Sequence, residues 1–255
     1  MKKPVRVALT REESICMHPK RHPLTMEIEM GCDSNGRFTF VKSDIIGDTG
    51  AYASVGMKVL ERAAGHATGA YHVDAVEVRS RAVYTNNIPC GAMRGFGVNQ
   101  INFAVESCVD ELCEMGDFDR WQIRYDNALT SGGMTSTGQV LQSGIGIRKT
   151  LEAVKDVFQQ SRHAGIACGI KNTGIGNGVP DTGKVKIVIE SPERILIHQG
   201  WTEMGQGVYT MAVQFFCEVT GLSPEIVEVK VDTAEESESG MTTASRGTSI
   251  IGHSV

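Results

Sequence analysis

The sequence predicts an α+β chain in which mixed sheets carry packed helices, and three observations lead to that class. Residues 24–32 alternate, with Met26, Ile28, Met30 and Cys32 set against Glu27, Glu29 and Gly31. A turn at Asp33-Ser34-Asn35-Gly36 follows and Phe38 and Phe40 resume the pattern, which describes a β-hairpin. Ile101, Val105, Cys108, Leu112 and Met115 then recur at spacings of four and three, an amphipathic helix opening near Val98 and stopped by Gly116. Beyond residue 146 the two periods recur in turn, helical then strand-like. A chain of 255 residues holds one large domain or two modest ones. The weakly apolar stretch 130–146, rich in Ser, Thr, Gly and Gln, is a surface connection and places the split near residue 130, giving subdomains 1–130 and 131–255.

The other elements follow in order. Val5 to Leu9 is strand-like. His18 and His22 suggest a metal pair, but Pro19 and Pro23 break any helix that would align them, so solvated loop histidines are expected. A short helical pattern surrounds Lys58-Val59-Leu60-Glu61-Arg62, where Arg62 belongs either to a solvated face or to a cleft. Val73 to Val83 alternates as a strand, with Val76 and Val78 against Glu77 and Arg79. Trp121 to Tyr125 is a shorter helical stretch, and Ile147, Leu151, Val154 and Phe158 form the next stripe. Gly165 to Ile170 reads as a buried strand. Strands follow at 185–189 and 195–197, a helix through Val208, Met211, Phe215 and Val219 capped by Gly221, and a strand through Val227, Val229 and Val231 against Glu228, Lys230 and Asp232.

Composition narrows the function classes. Net charge is −5, which does not favour nucleic acid or an anionic membrane as partner. No apolar run is long enough for a membrane-spanning helix. Met1-Lys2-Lys3-Pro4 lacks the apolar core of a signal peptide. The seven cysteines are scattered without a CxxC pair, which points to free thiols in a reducing compartment and a cytoplasmic location. Both ends read as cuts through a longer chain, so a fragment is expected.

Three glycine-rich junctions carry the chemistry. In Cys90-Gly91-Ala92-Met93-Arg94-Gly95-Phe96-Gly97 the glycines permit a tight turn and close approach of a ligand, Arg94 is a permanent cation with a planar fork of donors, and Phe96 offers a flat face. The helix N-terminus that follows suits an anion, although the same spacing describes an ordinary loop. Trp201-Thr202-Glu203-Met204-Gly205-Gln206-Gly207 repeats that logic, and Thr242-Thr243-Ala244-Ser245-Arg246-Gly247-Thr248-Ser249 supplies small polar residues. The loop Gly174-Ile175-Gly176-Asn177-Gly178-Val179-Pro180 resembles a dinucleotide fingerprint, but Val179-Pro180 stands where a helix should open. Separate turns would explain each junction singly; together they suit a bound polyanionic cofactor.

As a set, Gly91 to Gly97, Thr202 to Gly207 and Thr242 to Ser245, with Arg21-His22-Pro23 and Leu60-Glu61-Arg62 in the same order, resemble the molybdenum-binding part of the xanthine dehydrogenase and aldehyde oxidase family. The resemblance spans nearly the whole chain. It implies a molybdenum–molybdopterin cofactor, for which the cytosine dinucleotide form is one candidate, and hydroxylation of an N-heterocycle or aldehyde with oxygen from water. Arg94 and the Met93 backbone would lie beside the molybdenum ligands, with Ala244 adjacent and no side chain bound directly to the metal. Met204, Gly205 and Gln206 would contact the pterin, and Ala244 and Ser245 would line it from another side. Phe96 would stack on a flat substrate and Arg62 would orient it. In the purine-hydroxylating members a second Phe faces the first; the best match here is Asn177, so a two-ring clamp is not expected. The family's upstream glycine loop and general-base Glu have no counterpart in these residues. The chain alone is therefore expected to be inactive and cofactor-free, with iron–sulfur and FAD groups on other domains or subunits and with self-assembly into an oligomer. A non-catalytic binding or assembly module of the same fold is the alternative.

Overall fold

The computed structural model describes residues 5–176, 180–231 and 239–255, and two compact units divide the chain after Lys171. The first unit is built on a three-stranded sheet. β1 (Leu24–Cys32) and β2 (Phe38–Asp48) are antiparallel, in register from Leu24 opposite Gly47 to Gly31 opposite Phe40. The turn between them is tied by the Asp33 carboxylate, which accepts from the backbone N–H of Asn35 and Arg37. Gly36 there takes φ of 79°, a conformation that β-carbon sterics disfavour. β2 then pairs in parallel with β3 (Ala75–Val83), a connection that needs a crossover, and α2 (Gly56–Ala64) supplies it. Val41, Ser43, Ile45 and Gly47 of β2 are buried while Phe40, Lys42 and Ile46 are exposed, so one face of this sheet is covered.

Helices α3 (Val98–Gly116), α4 (Arg120–Asn127) and α5 (Ile147–Gln160) complete the unit. Phe38 meets Tyr71 edge to face at 5.3 Å within a core that includes Val59, Ala63, Ile101, Val105 and Trp121. A charged network is buried beside it. Arg124 is fully buried; its Nε donates to Glu106 at 2.8 Å and its Nη2 to Asp110 at 2.8 Å, while the Tyr71 hydroxyl donates to the other Glu106 oxygen at 2.5 Å. Burial, and then the Glu106 carboxylate, push the Tyr71 phenol upward, so it stays protonated and serves as donor. Burial works against the Arg124 charge, and Glu106, Tyr71 and Asp110 outweigh it.

The second unit repeats the plan. β4 (Lys186–Ser191) and β5 (Arg194–His198) are antiparallel, and β5 pairs in parallel with β6 (Val227–Lys230) through a crossover that contains α6 (Val208–Thr220). α7 (Gly247–Ser254) packs on α6, with Trp201, Val208, Ala212, Ile250 and Ile251 as their shared core. Both units thus consist of a hairpin, a crossover helix and a parallel third strand.

The α+β class, the hairpin, the helices at 98–116 and 208–220 and the strands after residue 185 agree with the sequence reading. Several expectations are corrected. Val5 to Leu9 is exposed and unpaired; the first element is α1 (Arg11–Met17), opened by a Thr10–Glu13 capping box that the sequence displays. His22 is buried, not solvated, while His18 is exposed. Gly165 to Ile170 forms no strand, although Cys168 is buried. Gly116 is the last turn of α3 and it is Asp117, at φ of 53°, that takes the left-handed cap. Val231 lies beyond β6, and the end of the Thr/Ser/Gly run, where the sequence pattern signals no element, opens α7. Asn177, Gly178, Val179, Asp232 and the segment 1–4 lie outside the described residues. The connection at 130–146 falls inside the first unit because Leu151 of α5, Ile166 and Cys168 pack back into its core.

Candidate functional site

In the first unit the loop 91–97 is held from both ends. The Gly91 N–H donates to the Lys20 carbonyl at 2.9 Å, and a β-carbon on Gly91 would lie 2.7 Å from Pro19. At the other end Gly97 has φ of 96°, and an added β-carbon would sit 2.3 Å from the Val59 carbonyl and 3.1 Å from the Ala63 nitrogen. The start of α3 therefore touches the backbone of α2 in the turn that carries Arg62. This contact brings Arg62 and Phe96 into one neighbourhood. Phe96 takes φ of 53°, with its N–H bonded to the Met93 carbonyl at 2.9 Å, and its ring is partly buried against the core. Met93 and Arg94 are exposed, and the Arg94 carbonyl accepts from the Asn99 side chain at 3.2 Å. No side chain caps α3 and no acid sits in its first turn, so its positive end suits an anion, and Arg94 adds a cation to the loop that leads into it.

Arg62 closes α2 among other bases. The His66 Nδ1 lies 2.8 Å from the Arg62 carbonyl. Burial lowers the His66 pKa, and the charges of Lys171 and Arg62 add to that. Lys171 is likewise lowered, first by burial and then by Arg62. These influences place Arg62, His66 and Lys171 in one another's field. Neither His66 nor Lys171 stands out in the sequence, since nothing local links residue 171 to the end of α2.

In the second unit the two remaining junctions meet. The Thr202 N–H donates to Thr242 Oγ1 at 2.8 Å, so the 202–207 corner rests on the 242–246 loop. Ala244 and Ser245 both adopt left-handed backbone, at φ of 64° and 54°, a strain of about 1–3 kcal/mol each. Arg246 follows at φ of −109° and ψ of 0°, and no side chain caps α7. Such a succession turns consecutive N–H groups toward one point, an anion-binding concavity. The Arg246 guanidinium pins the loop from beneath, donating to Asp181 at 2.9 Å and to the Met241 carbonyl at 2.9 Å.

The α6 junction differs from the expectation. Its N-terminus already holds an anion from within: Glu203 accepts from Gly205 N–H at 2.6 Å, Gly207 N–H at 3.1 Å and Val208 N–H at 2.7 Å. The bond from Gly207, with those from Gly205 and Val208, holds this carboxyl below the usual range. Gln206 is also engaged locally, accepting from Met204 N–H at 2.6 Å and donating to the Thr202 carbonyl at 2.7 Å. The side chains of Met204 and Ser245 are exposed. The acid before a Gly-x-Gly helix entry is the sequence signal for Glu203. A group whose folded-state pKa is depressed contributes its full stability above the unfolded-state value and loses it as pH falls through the folded one. Protection of the Gly207 and Val208 amides against hydrogen exchange is expected to persist through the ordinary carboxylate range and to collapse only as pH falls below it in the native chain. In Glu203→Gln it is expected to be weak already at neutral pH, with little further loss on acidification.

Taken unit by unit, the α3 end with Arg94 in the first and the α7 end in the second suit an anion, whereas the α6 end, filled by Glu203, offers carbonyls and side chains. Among the described residues no group of three or more His, Cys, Asp and Glu is placed to hold a metal ion. Fold and junctions together define the class, an α+β protein whose uncapped α3 and α7 ends suit an anion. The chain belongs to the molybdopterin cofactor-binding domain family, whose models match residues 1–128 and 141–255. It is 32% identical to a probable xanthine dehydrogenase subunit of Bacillus subtilis (strain 168), over 99% of this chain and 35% of that protein. To the nicotinate dehydrogenase large molybdopterin subunit of Eubacterium barkeri it is 43% identical, over 61% of this chain and 36% of that one. Among solved structures, the aldehyde oxidoreductase from Desulfovibrio gigas superposes with a TM-score of 0.81 at 25% identity, covering 89% of this chain and 26% of that chain. The chain spans about a third of the length of these curated relatives.

Proposed function

We propose that this chain is the cofactor-binding portion of a molybdenum hydroxylase of the xanthine dehydrogenase and aldehyde oxidase type. Its substrate is an N-heterocycle or an aldehyde, and the oxygen inserted comes from water. The observation that carries the reading is the packing of Gly97 onto α2, which holds Arg94, Phe96 and Arg62 in one part of the first unit. When bound, the molybdenum–pterin group supplies oxygen transfer and accepts two electrons. Arg94 and the Met93 backbone hold its metal end. Ala244 and Ser245 line it through the concavity before α7, and Met204, Gly205 and Gln206 meet the pterin through carbonyls and the Gln206 amide, which exchanges its internal bonds for that contact. Phe96 provides the stacking face and Arg62 orients the ring and steadies charge developing on it. The base that activates water lies outside these residues, so the chain alone is inactive.

Two cofactor-binding subdomains, 1–130 and 131–255, are part of the reading, supported by family matches that meet between residues 128 and 141. The iron–sulfur and FAD modules reside on other domains or subunits, the assembly is oligomeric, and the pterin carries a nucleotide such as cytosine. Seven free cysteines support a reducing, cytoplasmic setting. The test is metal and nucleotide analysis of the enzyme assembled around this chain, with turnover in ¹⁸O-labelled water. Stoichiometric molybdenum and labelled product are expected; a metal-free assembly, or product oxygen drawn from O₂, would reject the reading in favour of a binding module.

A further inference from the structure

We propose that Glu203 is a positioning residue for the cofactor: by taking main-chain donors of the 203–208 corner it makes that corner an acceptor surface, which meets the N–H-bearing ring of the pterin and turns away its phosphate. The inference rests on the molybdenum–pterin reading and adds how this corner is set. The half-buried Glu203 spends both oxygens: Oε1 accepts from Gly205 N–H at 2.6 Å and Gly207 N–H at 3.1 Å, and Oε2 from Val208 N–H at 2.7 Å. The Met204 N–H goes to Gln206 Oε1 at 2.6 Å. The corner is also fixed at its start, by Trp201 N–H on Gln199 Oε1 at 2.6 Å and Thr202 N–H on Thr242 Oγ1 at 2.8 Å. Between 204 and 208 the Gln206 N–H alone has no acceptor among the described residues. The carbonyls are in the opposite condition: those of Glu203, Met204 and Gly205 accept from no group among the described residues.

A helix cap alone would need only the Gly207 and Val208 bonds. The bond from Gly205 reaches outside α6 and fixes the turn itself. Gly205 and Gly207 take φ of 96° and 78°, and a β-carbon added at either would meet nothing within 4 Å, so the main chain there is open to a flat ligand. A bare helix N-terminus attracts phosphate through its unfilled N–H groups. Here a carboxylate already occupies them, and a phosphate would have to displace it against like-charge repulsion. A ring edge carrying amino and lactam N–H groups makes the reverse demand, for acceptors, and the three unbonded carbonyls supply them.

In Glu203→Gln one oxygen becomes an amide nitrogen that cannot accept, so either the Val208 bond or the Gly205 and Gly207 pair is lost. In the assembled enzyme, pterin is measured as its fluorescent oxidation product per chain, and folding of α6 is read from exchange protection of the amides of residues 212–216. Glu203→Gln is expected to carry pterin reduced by about fivefold or more while α6 keeps its protection. Glu203→Asp, which keeps the charge at shorter reach, serves in its place if that variant does not fold. On the chain itself, inorganic phosphate is expected to leave the Gly205, Gly207 and Val208 amide NMR signals in place, and to move them once Glu203 is Gln. Native pterin content in a folded variant would overturn the proposal and leave the hydroxylase reading standing. So would phosphate shifts at this corner in the native chain, or a folded Glu203→Gln as indifferent to phosphate as the native chain. A native assembly without pterin would overturn both.

Discussion

Arg94→Ala is expected to cost the assembled enzyme most of its activity, with kcat/KM falling by about 10²-fold or more. Arg94 is exposed at the entrance to an uncapped α3, so its guanidinium adds a full charge and a rigid donor fork to the partial charge of the helix end. The backbone around it is set by Gly95, Gly97 and the Met93–Phe96 turn rather than by its side chain. Truncation should therefore leave the fold intact while removing the cation. Molybdenum content distinguishes two routes: loss of metal means that Arg94 retains the cofactor, while full metal with low turnover means that it acts on the reacting end. Arg94→Lys keeps the charge but not the fork and is expected to fall between. Full occupancy with unchanged turnover in Arg94→Ala would refute the role.

The largest expected effect on stability lies at Glu106. Glu106→Ala leaves the fully buried Arg124 with Asp110 and the Arg120 carbonyl and the Tyr71 hydroxyl without its carboxylate acceptor, a loss of about 3–5 kcal/mol by analogy with broken buried ion pairs. Tyr71→Phe removes only one bond to a charged acceptor and should cost less, about 1.5–3 kcal/mol. Urea unfolding followed by Trp121 fluorescence in a Trp201→Phe background checks the order of the two. Trp121 suits the purpose because it stacks on Tyr125 at 4.8 Å and donates to the Leu151 carbonyl, joining α4 to α5. Equal midpoints for the native chain and Glu106→Ala would show that the network contributes nothing to this unit.

Where one periodicity dominates, the fold is legible. β1, β2, α3 and α6 each bury one face, and burial of one face is what writes period two or 3.6 into a sequence. Elements shaped by neighbours are not. α7 has only Ile250 and Ile251 as strong apolar residues and forms because Gly252 lets it approach Phe215 and Gly183 leaves room beside Ile250 and Trp201. Residues 165–170 look like a buried strand because Ile166, Cys168 and Ile170 alternate; they pack on the first core, yet no ladder partner reaches them. At the site, the glycine junctions are visible because tight turns demand glycine. The occupancy of the α6 end by Glu203 is not, since a carboxylate before a helix reads the same whether it faces solvent or folds back. The influence of Lys171 on Arg62 and His66 joins positions about a hundred residues apart, which no local pattern reveals.

Direct main-chain contact between Gly97 and α2 has a kinematic consequence. With no side chain between the two backbones to act as a bearing, the loop end at Gly97 and the α2 turn at Val59–Ala63 rest directly on each other. Any side chain at position 97 would therefore act as a wedge, forcing the loop that carries Phe96 away from the helix that carries Arg62.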